Sequence, residues 1–178
     1  MLKYIAALVA VLVCFNLSAS ELVRYRDLCK ATGAIVWILK DQGARPTDYR
    51  LQFADGFAWA IVPAAKKYGV DIDAMIVTAF TESSFHADAV GEKGERGLYQ
   101  IHRRPLRDWK DIRENADKGA RLLARAIRTC SDKGGTWEHV FGHYRSGRCD
   151  PEFGKWKARL YRRLKKELRK AESLPARL

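Results

Sequence analysis

DIDAMIVTAFTESSF, residues 71–85, decides the reading of this chain. Ile72, Met75, Ile76, Ala79 and Phe80 recur at helical spacing, so the segment from Asp71 to about Ser84 is predicted to be a helix with one apolar face. Asp71 is placed to cap it, and Asp73 falls in the first turn, where a negative charge suits the helix dipole. Glu82 follows Met75 by seven residues and Ala79 by three, along the edge of the apolar face. A carboxyl group set against apolar neighbours loses hydration, which penalises the ionised form and suits a general acid. A glycine-rich turn, GERGLYQ at residues 94–100, comes soon after.

The elements on either side are predicted to be mostly helical. Leu22 to about Leu39 reads as a first helix, and Gln42 to Asp48, with Gly43 and Pro46, as a turn. Tyr49 to Tyr68 reads as a second helical region that Gly56 or Pro63 kinks or splits, with Gly69 as its stop. Residues 86–105 are expected to be loop or a small hairpin. Asp111 to Thr129 returns to helical spacing and ends at Gly134-Gly135. Thr136 is a candidate cap for a short helix from Trp137 to about Tyr144. A last helix, from about Pro151 to Ala171, is expected to carry Trp156, Leu160, Leu164 and Leu168 on one stripe. The fold class is therefore all-α.

The 178 residues, 47% hydrophobic, suit one domain with an ordinary core. Residues 1–20 differ from the rest: Lys3 precedes an uncharged run from Tyr4 to Phe15, followed by the small residues Ser18, Ala19 and Ser20. This reads as a secretory signal peptide, with an uncleaved anchor as the alternative. The main domain is expected over residues 21–150 and a basic C-terminal helix over 151–178. The net charge of +12 favours anionic polymers, and export argues against nucleic acid among them. From Lys155 to Leu178 the tail carries ten Lys or Arg against only Glu167 and Glu172. It reads as a helix packed on the domain or as a grip on an anionic envelope polymer, and is compatible with peripheral membrane association. Outside the leader stand Cys29, Cys130 and Cys149. Cys130 with Cys149 is the favoured disulfide, tying a helix end to the loop after Gly147, and a Cys29 pairing is its rival.

The ordered motifs Glu82-Ser83-Ser84-Phe85, Ala89-Val90-Gly91 and Gly94-Glu95-Arg96-Gly97-Leu98-Tyr99-Gln100-Ile101 resemble the core signature of the lytic transglycosylase family with the lysozyme-like fold. Asn115 with Gly119-Ala120-Arg121-Leu122-Leu123, and Tyr144-Arg145-Ser146-Gly147, resemble its later segments. The resemblance covers about residues 71–147. It implies cleavage of the β-1,4 bond between N-acetylmuramic acid and N-acetylglucosamine in peptidoglycan, with Glu82 as sole acid and base and a 1,6-anhydro product. No cofactor or metal is implied. It further implies an exported, periplasmic or envelope protein serving wall remodelling, a secretion or conjugation machine, or a phage. Ser83 is expected to orient Glu82, Gly97, Leu98, Tyr99 and Gln100 to line the sugar cleft, and Tyr144 to donate to the carboxylate. Arg145 stands where the family usually has asparagine; a cation beside Glu82 would oppose its work as an acid, so Arg145 is expected to point away from it, toward substrate carboxylates.

Glycosidases usually use two carboxylates about 5 to 9.5 Å apart. Asp88, Glu92 and Glu95 are the nearby candidates for a second, and one of them facing Glu82 would favour hydrolysis by a goose-type-lysozyme-like muramidase. A wall-binding or assembly component without catalysis is the other alternative. His139 and His143 stand four apart on one helix but lack a third metal ligand. Phe85 reads as core, as Trp37, Trp59, Trp109 and Trp137 do more readily than as sugar platforms.

Overall fold

The computed structural model describes residues 18–102, 108 and 110–173. Most of the expected leader, Trp109 and the last five residues therefore lie outside the described residues. Helix α1, Ala19–Asp41, opens with a capping box in which Ser18 and Glu21 each accept the other's backbone N–H. Ala19 and Ser20, the last residues of the expected leader, thus fall in its first turn. Leu28, Ala31, Ile35, Ile38 and Leu39 form its buried face.

The second helical region divides at Phe53 rather than at Gly56 or Pro63. Helix α2 is Tyr49–Gln52 and α3 is Ala54–Tyr68, with Pro63 carried inside α3. Gly56 has a packing role instead: a Cβ there would lie 2.6 Å from the Phe53 ring, which folds over it. Gly69, at φ 65°, ends α3 in the left-handed conformation that glycine adopts without steric cost.

Helix α4, Ile72–Ser83, is the centre of the fold. Asp71 caps it by accepting the Ala74 N–H at 3.0 Å. Every residue from Ala74 to Phe80 is buried, because α1, α3, α5 and α7 all pack against this helix. Thr78 is accommodated there by donating its hydroxyl to Ala74 O at 2.8 Å. The expected loop region contains a two-stranded antiparallel ribbon, β1 (Glu95–Arg96) and β2 (Ile101–His102), with Arg96 facing Ile101.

Helix α5, Ile112–Cys130, is capped by Asp111 and runs into a short 3-10 turn, Ser131–Lys133, before Gly134. Helix α6 is Trp137–Ser146 and α7 is Pro151–Ser173. Thr136 stands at the cap position of α6, but its side chain does not cap the helix and pairs with His139 Nδ1 at 2.7 Å. Helices α6 and α7 meet at two glycines. A Cβ on Gly142 would lie 1.9 Å from Asp150 O, and one on Gly154 would lie 1.9 Å from Glu138 O. Only hydrogen fits at either position. The Cys130–Cys149 disulfide joins the end of α5 to the segment before α7, leaving Cys29 as an exposed free thiol on α1. Closing so short a loop is worth about 3 kcal/mol.

The stripe of α7 differs from the predicted one. Leu160 and Leu164 are buried, but Trp156 is 51% exposed, and the face turned inward is Gly154, Lys157, Ala158, Tyr161 and Leu164. The close approach at Gly154 sets this rotation. The residues three, four, seven and ten positions later then follow it into the core. Trp137 stacks on Phe141 at 5.2 Å and meets Tyr161 at 4.8 Å, whereas Trp59 is exposed beneath the Arg24 guanidinium.

Candidate active site

Glu82 stands one residue before the end of α4, and the backbone beyond it is held in an unusual shape. Ser84 and Phe85 both have positive φ, 52° and 62°, and the other non-glycine residue so placed among the described residues is Gln100, at 49°. A left-handed phenylalanine is sterically costly, so packing has to hold it. Phe85 is fully buried between Phe57 and Phe80, with ring centroids 5.4 and 6.0 Å away. Arg50 Nη1 donates to Ser84 O at 2.9 Å, and Arg50 Nε is fixed by Asp48 at 2.9 Å.

The Arg50 hydrogen bond holds the Asp48 carboxyl down at about 2, from an ordinary 3.8. A depressed carboxyl contributes stability that is present above its unfolded value and is lost as pH falls through its folded value. Arg50→Gln should therefore be less stable than the parent at pH 5 and above, the difference closing as pH falls toward 2 in paired urea unfolding curves.

The glycine turn is fastened to the end of α4 from three sides. Ser83 Oγ lies within donor distance of Ala79 O (3.1 Å) and Leu98 O (2.9 Å), so Ser83 ties the helix to the turn. Asn115, fully buried on α5, accepts the Tyr99 N–H at 2.7 Å and donates to Arg96 O at 3.0 Å. Tyr99 donates its hydroxyl to Met75 O at 3.1 Å, beneath Gly119, where a Cβ would fall 2.4 Å from the ring. Gly97 takes φ 73° and donates its N–H to Ala89 O at 2.8 Å.

Several expected roles change with this geometry. Leu98 and Tyr99 are fully buried, so their side chains anchor the turn from below rather than line a cleft. Gln100 Nε2 donates to Gly97 O at 2.9 Å and Ala89 O at 3.3 Å, bracing the turn from within. Tyr144 donates to Tyr99 O at 3.0 Å rather than to Glu82. Burial pushes its hydroxyl well above the usual tyrosine range, with the nearby Glu82 charge adding to the shift. Glu95 accepts from the Lys93 N–H at 3.0 Å, and Asp88 and Glu92 are exposed.

The cation beside Glu82 is Lys157, not Arg145. Lys157 Nζ reaches in from α7 to Glu82 Oε1, with the lysine side chain 7% exposed and the glutamate 20%. Arg145 is exposed, its guanidinium 5.9 Å from the centre of the Phe153 ring. The immediate partner of the Glu82 carboxyl is thus an ammonium and not an apolar side chain. Helical spacing carried the signal, since Lys157 lies three residues after Gly154 and four before Tyr161 on the inward face.

The end of α4, the turn above it and the helices α5 to α7 that hold both make one unit. Residues 60–168 match the transglycosylase SLT domain. The chain belongs to that family. It is an SLT transglycosylase domain protein of the lytic transglycosylase type, mainly α and lysozyme-like, and the substrate class of the family is peptidoglycan. No curated protein and no solved structure matches the chain.

Proposed function

We propose that this SLT domain protein is a lytic transglycosylase that cleaves the β-1,4 bond between N-acetylmuramic acid and N-acetylglucosamine, with Glu82 as its single acid and base. The observation that carries the reading is the position of Glu82 at the last turn of a buried helix, tied through Ser83 to the glycine turn. A carboxyl group so placed is held still while a sugar approaches, and positioned proton transfer is what this reaction asks of the protein. The protonated Glu82 gives its proton to the glycosidic oxygen as the bond to C1 breaks. The C6 hydroxyl of the muramic sugar closes on C1 and its proton goes to the Glu82 carboxylate. Water is neither consumed nor released, and the anhydro ring takes its place.

The reading places the protein in the cell envelope, behind a leader at residues 1–20, with the basic face of α7 toward the anionic wall. Digestion of purified murein followed by mass spectrometry tests it. Muropeptides lighter by one water than the reducing-end forms are expected, and reducing ends alone would make the protein a hydrolase. The ion pair with Lys157 favours a second reading, a wall-binding component in which Glu82 does no chemistry. A folded parent that binds murein and releases nothing would establish that alternative.

A further inference from the structure

A lysine on the inward face of a helix is costly, because its ammonium gives up hydration that only a well-placed anion replaces. Lys157 is 5% exposed and sits between Gly154 and Tyr161 on α7, where a methionine would complete the stripe without that cost. Among the described residues, the groups bearing on Nζ come from α4 and α6. Glu82 meets it from α4, the Tyr144 ring lies 5.2 Å away on α6, and Arg145 of α6 adds a like charge. Burial draws the ammonium down from the ordinary lysine range, the Glu82 carboxylate opposes this, and Arg145 reinforces it. An ion pair in such a place loses both charges if one proton crosses the contact, and drying favours that neutral form.

We propose that Lys157 is a positioning residue that acts through Glu82 by storing its catalytic proton. The inference rests on the transglycosylase reading above. At rest the pair is ammonium and carboxylate. When a glycan strand covers the site and excludes water, the Nζ–H bond breaks and the proton passes to Glu82 Oε1, leaving an amine beside a carboxylic acid. That acid protonates the glycosidic oxygen, and the C6 hydroxyl returns a proton to Glu82 as the anhydro ring closes. On product release the proton moves back to Nζ, so the cycle neither gains nor loses one.

Lys157→Arg and Lys157→Met separate this role from a structural one. A guanidinium keeps the charge but does not surrender its proton. Lys157→Arg should therefore lose at least tenfold in kcat at neutral pH, with KM and unfolding temperature near the parent's, and recover as the pH is lowered. Lys157→Met, which has no proton to store, should also lose turnover at neutral pH and regain it only as the pH is lowered. A merely structural ion pair would leave the arginine variant with the parent's kcat across the pH range, and that result overturns the proposal.

A second measurement does not depend on activity or on either Lys157 variant folding. The Lys157 Nζ is titrated by NMR in the full chain and in Glu82→Gln. Loss of the carboxylate should move its deprotonation to lower pH, and identical titrations overturn the proposal. If the parent releases no anhydro product, the transglycosylase reading fails, while the NMR comparison still decides whether the charge of Glu82 holds the proton on Lys157.

Discussion

Glu82→Gln is expected to lower the rate of muropeptide release by about 10² to 10⁴-fold, the range that one positioned acid or base supplies. Glutamine keeps the size of the side chain and a polar atom toward Lys157, but has no proton to give to a glycosidic oxygen and no carboxylate to take one back. The fold should survive. Glu82 lies at the rim of α4 rather than among Ala74 to Phe80, and the buried Lys157 left behind can shed its proton, toward which its surroundings already press it. Release of soluble muropeptides, with circular dichroism on the same samples, checks both halves. A glutamine variant that clears murein as fast as the parent would remove Glu82 from the chemistry.

Asn115→Ala is the second large expected effect, and it acts on the turn rather than on the acid. The side chain of Asn115 satisfies two backbone groups, the Tyr99 N–H and the Arg96 carbonyl. Leaving a buried polar group without a partner costs roughly 1 to 3 kcal/mol, so the loss should be on the order of 3 kcal/mol for the pair. Urea unfolding would show this as a lower midpoint. Activity should fall further than stability alone explains, because the turn that faces the end of α4 loses its fastening to α5. Asn115→Asp restores the acceptor for Tyr99 but not the donor for Arg96, and should lie between the parent and the alanine variant in both measurements.

Much of this fold was legible because its strongest signals are local. Helix α4 with its Asp71 cap, α5 with Asp111, and the stop at Gly69 each follow from a short window in which apolar spacing and a capping residue agree. The Cys130–Cys149 pairing was legible for a related reason, since a short closed loop follows a helix end. The differences lie in which neighbours meet. Helix α2 stops at Phe53, whose ring folds over Gly56, and apolar spacing does not announce which of several breakers will act. The rotation of α7 is set by its approach to α6 at Gly154, which turns Trp156 outward and Lys157 inward against the plain expectation from side-chain polarity.

The site divides in the same way. Glu82, Ser83 and the glycine turn are contiguous enough to be found by motif. Who touches whom across them is not: Tyr144 joins the turn rather than the acid, Leu98 and Tyr99 lie beneath the surface, and the cation arrives from a helix that the motif does not contain. A positive charge does stand beside Glu82, and it belongs to Lys157, while Arg145 points away toward Phe153. Arg145 is next to a motif residue in sequence, whereas Lys157 is next to the carboxylate in space.

Digestion of purified murein in heavy-oxygen water shows whether Glu82 works without a water nucleophile, as proposed. Muropeptides cleaved at the muramic sugar are expected to carry no heavy oxygen at C1, because the C6 hydroxyl closes the ring. One heavy-oxygen atom retained there from the moment of cleavage would contradict the proposal and make the enzyme a hydrolase.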